Sequence, residues 1–185
     1  MADLTGKTVA FLTSEHGIEE PELTTPWQAV KDAGGTPVLV SAQSGTVSAV
    51  NNDLDPGGTY PVDSTVDQVN VADLAALVIP GGTVNADTLR TQSESVALVK
   101  DVLAAGIPVA AICHGPWSLI EAGVVDGVTL TSYPSLATDL RNAGATWVDQ
   151  EVVVSEVGTT SLITSRNPDD LPAFSAAVVE AAAGA

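Results

Sequence analysis

The chain has 185 residues, 45% of them hydrophobic, and its formal net charge is −17 because 23 Asp and Glu face only six Lys and Arg. This length predicts one domain over residues 1–185, with a core that needs no disulfide or metal to stabilise it. The few basic residues argue against nucleic acid and anionic membrane surfaces as partners, and no apolar stretch approaches the ~20 residues of a membrane span. One cysteine, and a start without the basic-then-apolar order of a secretory signal, predict a cytoplasmic protein.

Short apolar runs alternate with longer amphipathic segments along the chain. In order, they predict a strand at Thr8–Thr13, a helix at Pro21–Ala33, strands at Pro37–Ser41 and Leu77–Pro80, a helix at Glu94–Ala105, a strand at Pro108–Ile112, helices at Trp117–Ala122 and Ser135–Ala143, strands at Val152–Val154 and Ser161–Thr164, and a closing helix at Pro168–Ala183. Asn167 is a suitable N-cap for the closing helix. Apolar strands separated by helices predict an α/β fold, with a mostly parallel sheet covered by helices on both faces.

The polar stretch from Gln43 to Asn70 is rich in turn residues, such as Asp55-Pro56-Gly57-Gly58. It is predicted to form a hairpin and a loop outside the main sheet. In an open α/β sheet, functional sites form at the carboxyl ends of the strands. The candidate site therefore lies just after Thr13, Pro80 and Ile112.

The segment after the third of these strand ends, Ala111-Ile112-Cys113-His114-Gly115-Pro116, carries the strongest chemical signal. An apolar strand, a tight turn and a helix start meet here, since proline suits the first position of a helix. A lone cysteine is usually a small buried hydrophobic residue. This turn, however, would expose Cys113 to the positive end of a helix dipole, which favours the thiolate and predicts a pKa below ~8.5.

His114 follows Cys113 directly, and the side chains of adjacent residues usually diverge. It is therefore expected to orient the substrate or to accept a proton from it rather than from the thiol. The only other histidine is His16, and no histidine follows Cys113. That argues against the glutamine-amidotransferase triad, whose elbow this segment resembles. The few possible ligands argue against zinc, so no metal and no cofactor are expected.

Two glycines, Gly81 and Gly82, follow the predicted strand Leu77–Pro80. Without side chains, their backbone N–H groups can face a ligand. We expect an oxyanion hole here, with the N–H groups of Gly82 and His114 as its donors. The glycine spacing does not match a dinucleotide-binding or phosphate-binding loop.

Three glutamates, Glu19, Glu20 and Glu22, follow the first predicted strand. Acidic residues in the first turn of a helix can simply favour its dipole. If one of them reaches the thiol, an ionised carboxylate beside a thiolate would raise both pKa values. Such a pair works when burial keeps the carboxyl protonated, so that it donates a hydrogen bond to the sulfur.

A set of ordered motifs resembles the PfpI branch of the ThiJ/PfpI superfamily over about Val9 to Ala182, namely Pro80-Gly81-Gly82, Ala111–Pro116, Thr131-Ser132-Tyr133-Pro134, Trp147-Val148-Asp149 and Leu162–Pro168. That superfamily includes the intracellular peptidase PfpI, bacterial general stress proteins and the Parkinson-associated protein deglycase. The resemblance implies a flavodoxin-like three-layer sandwich that carries the cysteine on a strained nucleophile elbow.

The resemblance also implies roles for individual residues. It makes Cys113 the nucleophile and His114 its catalytic neighbour. It assigns the family's thiol-contacting glutamate to Glu22, a second acid near the pocket to Glu19, and a pocket tyrosine to Tyr133.

In the PfpI branch, an acid from a neighbouring subunit completes a Cys-His-acid triad. Here the resemblance assigns that acid to Asp87, which implies a homodimer or a higher homo-oligomer. Two departures from the family pattern occur nearby: the loop Thr83-Val84-Asn85-Ala86 is one residue longer than usual, and Pro21 replaces an apolar residue. We also place Trp117, which follows the elbow, among the substrate-binding residues.

Three functions remain open at this level. The first, which we rank highest, is a stress-protective enzyme that acts on reactive carbonyls without glutathione, as a glyoxalase or deglycase; its substrate would be a small carbonyl compound or a glycated protein or peptide. The second is an intracellular cysteine peptidase, which would need the oligomer. The third is a non-enzymatic redox sensor or chaperone, in which Cys113 stops at the sulfinate.

Overall fold

In the computed structural model, which describes residues 2–185, strands and helices alternate through most of the chain. The strands are β1 (Thr8–Leu12), β2 (His16–Glu19), β3 (Thr36–Ser41), β4 (Thr46–Asn51), β5 (Asp55–Pro61), β6 (Ser64–Thr65), β7 (Leu74–Ile79), β8 (Val109–Ile112), β9 (Thr129–Leu130), β10 (Thr146–Trp147), β11 (Val152–Val157) and β12 (Thr160–Ser165). The helices are α1 (Glu20–Asp32), α2 (Thr83–Thr91), α3 (Ser93–Ala104), α4 (Pro116–Glu121), α5 (Ala137–Asn142) and α6 (Leu171–Gly184). The predicted α/β class is confirmed.

The central sheet has the strand order β11-β12-β8-β7-β1-β3-β6. Its neighbouring strands are parallel, apart from the edge strand β11, which runs antiparallel to β12. Successive residues of β1 face opposite sides: Ala10 and Leu12 pack with helices α2 to α5, whereas Val9 and Phe11 pack with α1 and α6. Helices thus cover both faces, which explains why the central strands are apolar throughout. No helix among the described residues combines the length and apolar character that crossing a membrane requires.

The region 43–70 differs in part from its prediction. Strands β4 and β5 form the expected antiparallel hairpin, and β2 joins them in a separate three-stranded sheet. The turn, however, lies at residues 52–54, and the expected turn Asp55–Gly58 belongs to β5. Ser64 and Thr65 pair with β3 in the main sheet, so their expected place outside it is wrong. The open edge of β3 offers backbone groups that a short extended segment can pair with.

The segment Thr83–Ala86 was expected as a loop but forms the first turn of α2. Its N-cap position is Gly82, which has no side chain to accept a backbone N–H. The carboxylate of Asp53, from the β4–β5 turn, accepts the N–H of Thr83 at 2.7 Å instead. A residue distant in sequence therefore caps this helix, which local propensity cannot reveal.

Candidate active site

The elbow at Cys113 joins β8 to α4 and lies at the carboxyl edge of the central sheet. Cys113 adopts φ 61°, in the left-handed region that a non-glycine residue enters at a cost of about 1–3 kcal/mol. Its N–H donates to the carbonyl of Ser165 at 3.1 Å, and its carbonyl accepts the N–H of Tyr133 at 2.9 Å. These bonds to two neighbouring segments hold the strained turn in place.

The sulfur of Cys113 lies inside the protein, with only 5% of the residue exposed. Burial raises the pKa of the thiol, and Glu22 raises it further once that carboxyl ionises above its own pKa of about 8, whereas the backbone N–H groups of Gly82 and His114 lower it. The direction is opposite to the expected one. The helix that follows has only six residues, and its dipole does not compensate for the lost hydration of the thiolate.

Glu22 is fully buried in the first turn of α1. Its Oε2 accepts the N–H of Gly81 at 2.7 Å, and its buried Oε1 has no hydrogen-bond partner among residues 2–185. The carboxyl lies near enough to the Cys113 side chain for each group to affect the pKa of the other. Burial raises the pKa of Glu22 to about 8, and the charge of nearby Glu19 adds to the shift. The carboxyl therefore keeps its proton at neutral pH, as the sequence argument requires of an acid beside the thiol.

His114 turns toward the thiol instead of away from it. Its Nδ1 lies 3.2 Å from the sulfur of Cys113. Tyr133 stacks on the ring with centroids 4.8 Å apart, and Trp117 meets it edge-on at 5.3 Å. Burial lowers the pKa of His114, so the imidazole is neutral and Nδ1 can accept the thiol proton.

The two glycines have different tasks. A Cβ on Gly81 would lie 2.5 Å from Oε2 of Glu22 and 2.6 Å from Cβ of Cys113, so no side chain fits there. The N–H of Gly81 is occupied by Glu22 and does not face the reacting atoms, which differs from its expected place in an oxyanion hole. The N–H groups of Gly82 and His114 both point at the sulfur.

Glu19 also differs from its expected role at the substrate. Its oxygens accept the backbone N–H groups of Asn52 and Asp53 at 2.9 and 3.0 Å. Both turn residues adopt positive φ, at 52° and 63°. Glu19 therefore holds the β4–β5 turn, and with 6% of the residue exposed it is nearly closed to a substrate.

The remaining predicted residues lie at the rim or outside the site. Tyr133 is 41% exposed beside His114, and the Trp117 indole N–H donates to Asp139 at 3.0 Å. Asp87 is exposed on α2. The structure thus brings together Cys113, His114, Glu22 and the two glycines, while an Asp87 from a second chain stays a prediction.

Three further side chains near His114 were not found by sequence reasoning. Its Nε2 faces the hydroxyls of Thr83 at 3.5 Å and Ser135 at 3.3 Å, and Asp53 accepts the Thr83 hydroxyl at 3.0 Å. The only advance signal is the Asn-Asn-Asp run at residues 51–53, because Asn and Asp tolerate left-handed backbone. Within residues 2–185, no three His, Cys, Asp or Glu side chains form a group that could hold a metal ion.

The fold and this elbow define a class of protein. The chain belongs to the DJ-1/PfpI family, whose model matches residues 7–181. Drosophila melanogaster DJ-1beta is a solved structure of this class, with a TM-score of 0.83 and 29% identity; the match covers 98% of this chain and 92% of that one. The predicted family and the flavodoxin-like α/β fold are both confirmed.

Curated relatives match nearly the whole chain. General stress protein 18 of Bacillus subtilis is 40% identical over 91% of this chain and 94% of its own length. Protein/nucleic acid deglycase 2 of Escherichia coli is 38% identical over 91% and 93%, and deglycase PH1704 of Pyrococcus horikoshii is 39% identical over 90% and 93%.

Proposed function

We propose that this protein is a cysteine-dependent enzyme that acts on reactive carbonyls, as a glutathione-independent glyoxalase or a deglycase. The observation that carries the proposal is the 3.2 Å contact between the sulfur of Cys113 and Nδ1 of a neutral, buried His114. A thiol and a base at hydrogen-bonding distance are the parts that nucleophilic addition needs. The names of the deglycase relatives support this class of reaction.

The first step forms a hemithioacetal with an aldehyde such as methylglyoxal. A sulfur lone pair of Cys113 attacks the aldehyde carbon while the thiol proton moves to Nδ1 of His114, so the thiolate exists only as the bond forms. The π electrons of the carbonyl move to its oxygen, which the N–H groups of Gly82 and His114 can hold. Neutral Glu22 adds no negative charge to this site.

The second step moves a proton between two carbons. His114 first returns the thiol proton to the hemithioacetal oxygen, and the neutral imidazole then takes the C1 proton, while protonated Glu22 can supply a proton. C2 receives a proton through an enediol, which gives the thioester of a 2-hydroxy acid. Water then hydrolyses the thioester, releases lactate and restores the thiol. The sum, methylglyoxal plus water to lactic acid, needs no external oxidant or reductant.

A glycated amine can join the same route. The sulfur displaces the amine from the carbon that carries it, the amine leaves with the proton held by His114, and the same hemithioacetal results. The physiological substrate is then a glycated protein or peptide, or the free carbonyl compound. The name of the Escherichia coli relative also includes nucleic acid. A net charge of −17 opposes close contact with a polyanion, and we propose no such substrate here.

The proposal is tested by following methylglyoxal loss and lactate formation without glutathione. We expect Cys113→Ser and Cys113→Ala to lower kcat/KM by at least about 10³-fold. His16→Ala is the matched control, because this exposed histidine lies outside the elbow and its ring Nδ1 bonds the hydroxyl of Ser48. In D2O, lactate should carry deuterium at C2 because the enediol takes its proton from exchangeable groups. Full activity in Cys113→Ser would overturn the proposal.

A cysteine peptidase is the second candidate, because acyl transfer uses the same thiol–imidazole pair. In this version the acid is Asp87 of a second chain, since Nε2 of His114 faces two hydroxyls and no carboxylate of its own chain. Peptide cleavage by the native oligomer, lost in Asp87→Ala while methylglyoxal turnover persists, would favour it. An oligomer that cleaves no peptide in a broad panel would exclude it.

A further inference from the structure

A chain of hydrogen-bonding groups runs from the thiol to the β4–β5 turn. The sulfur of Cys113 contacts Nδ1 of His114, and Nε2 of the same ring faces Oγ1 of Thr83 at 3.5 Å. The Thr83 hydroxyl lies 3.0 Å from Oδ2 of Asp53, whose Oδ1 accepts the Thr83 N–H at 2.7 Å. The Asp53 carboxylate thus accepts hydrogen bonds from both the backbone N–H and the hydroxyl of Thr83.

The direction of each hydrogen bond follows from the chemistry of the groups. An ionised carboxylate can only accept, so the Thr83 hydroxyl must donate its hydrogen to Asp53. The lone pairs of Oγ1 then face the ring and favour a hydrogen on Nε2, and the Ser135 hydroxyl, 3.3 Å from Nε2, can accept the same hydrogen. A neutral imidazole with its hydrogen on Nε2 has a free lone pair on Nδ1, which faces the thiol.

The turn that carries Asp53 is built to stay in place. Glu19 is 6% exposed and accepts the N–H groups of Asn52 and Asp53, both of which hold positive φ. The neighbouring Leu54, in contrast, is 87% exposed. Asn and Asp tolerate positive φ, and here that backbone directs the carboxylate of Asp53 at the hydroxyl of Thr83.

We infer that Asp53 is a positioning residue that acts through Thr83 to fix the His114 tautomer with Nδ1 free for the thiol proton. This inference rests on the proposed function only in that His114 receives that proton. Asp53 thereby supplies, within one chain, an orienting acid, a role that the family resemblance assigns to Asp87 of a second chain. Its negative charge also stabilises the imidazolium that forms during attack.

Several ionisable or charged groups lie on the elements packed around the imidazole. They are Cys113 on the elbow itself, Glu22 from α1, Asp53 from the β4–β5 turn, Tyr133 stacked on the ring, and Arg90 and Asp139, which contact Trp117. The charge of Asp53 raises the pKa of His114 against the effect of burial. Loss of that charge therefore moves the acid limb of kcat/KM to lower pH.

Asp53→Asn tests the inference directly. The Asn oxygen must face the fixed N–H of Thr83, so its NH2 group faces Oγ1 and turns the threonine hydrogen toward the ring. The tautomer with its hydrogen on Nδ1, which cannot accept the thiol proton at that nitrogen, is then favoured. We expect kcat to fall roughly 10- to 100-fold, KM to stay within about twofold, and the acid limb to move to lower pH. Thr83→Val should behave like Asp53→Asn, Thr83→Ser should restore activity, and Leu54→Ala should match the wild type.

The tautomer can also be measured without substrate. In protein carrying 15N-labelled histidine, the protonated and free ring nitrogens resonate far apart, and a His16→Gln background leaves only His114. We expect the hydrogen on Nε2 in the wild type and in Thr83→Ser, and a shift toward Nδ1 in Asp53→Asn and Thr83→Val. The inference is overturned if the wild type carries its hydrogen on Nδ1, or if Asp53→Asn changes neither the tautomer nor the pH profile.

The two readouts separate this inference from the proposed function. A wild type that does not consume methylglyoxal sinks the proposed function, while the nitrogen spectra still decide on the tautomer. If methylglyoxal is consumed but the nitrogen spectra of Asp53→Asn are unchanged, the proposed function is supported and the role of Asp53 in it is rejected.

Discussion

The first turn of α1 places two glutamates, two residues apart, in opposite surroundings. On the hairpin side, Glu20 accepts hydrogen bonds from the Tyr60 hydroxyl at 2.6 Å, the Gly58 N–H at 2.7 Å and the Asn51 amide at 2.8 Å. These donors, led by Tyr60, lower the pKa of Glu20. On the sheet side, Glu22 is fully buried, and burial raises its pKa to about 8.

The difference shows that helix position does not decide the charge of an acid. Both carboxyls lie near the positive end of the same dipole, which is worth at most ~1–2 kcal/mol. The charge of the carboxyl depends on how many hydrogen-bond donors the protein offers it, because an ionised carboxyl that loses water needs several donors in its place. Glu20 is thereby an anion that anchors a hairpin, and Glu22 is a neutral acid that can donate a proton to sulfur.

The largest effect should come from matched glycine substitutions on the two sides. A Cβ on Gly81 meets the fixed Cβ of Cys113 at 2.6 Å as well as Glu22, whereas a Cβ on Gly58 meets only the movable ends of Glu20 and Tyr60. We expect Gly81→Ala to lower the free energy of unfolding by more than about 3 kcal/mol and to abolish turnover, and Gly58→Ala to cost about 1 kcal/mol. Urea unfolding and methylglyoxal assays measure both. Equal losses in the free energy of unfolding for the two variants would contradict the predicted difference between the sheet side and the hairpin side.

A pH series should give the next largest effect, with opposite signs for the two acids. Because the folded pKa of Glu22 lies above its ordinary 4.5, its contribution to stability is present below that value and is lost as pH rises through about 8. The free energy of unfolding of the wild type should therefore fall relative to Glu22→Gln by a few kcal/mol between about pH 5 and 9.

Glu20→Gln is the matched variant in that series. The folded pKa of Glu20 is lowered, so its contribution is present above 4.5 and is lost as pH falls through the folded value. Since this carboxylate is close to solvent, we expect less than about 1 kcal/mol. The same slope in both variants would contradict the assignment of charge.

The smallest effect should come from Tyr60→Phe, which removes one donor to Glu20 and leaves the ring in place. We expect a loss of roughly 0.5 kcal/mol in the free energy of unfolding and a higher pKa of Glu20. The Cys113 site should keep its activity, because the hairpin side bears no reacting group. Carboxyl chemical shifts in an NMR titration, with the wild type as reference, report that pKa. A tenfold loss of turnover would contradict the prediction, because it would show that the hairpin side and the Cys113 site are coupled.

Much of the fold could be predicted from the sequence, and two of the missed elements share one cause. The central strands are apolar runs, and Pro and Gly mark their ends, so β1, β3, β7 and β8 were found. The helix α2 and the strand β6 were missed because their stability comes from distant partners, namely the carboxylate of Asp53 and the open edge of β3. Local patterns carry no record of such contacts.

The site divides in the same way. The strand-turn-helix order at Cys113, the glycine pair and an acid in the first turn of α1 were all visible in the residues, and the structure brings them together. The predicted direction of the Cys113 pKa is wrong, because a helix dipole is visible in the sequence whereas the depth at which the sulfur is buried is not. Asp53 carries no sequence signal beyond its tolerance for positive φ.

The sequence by itself determined the family, the α/β layers and the candidate nucleophile, because these depend on residue order and on apolar periodicity within short segments. Only the tertiary structure decided which glutamate is neutral, which glycine N–H points at the sulfur and which acid is linked to His114 through Thr83. Those properties depend on solvent exclusion and on hydrogen bonds between segments 30 or more residues apart, such as Asp53 to Thr83 and Gly81 to Glu22.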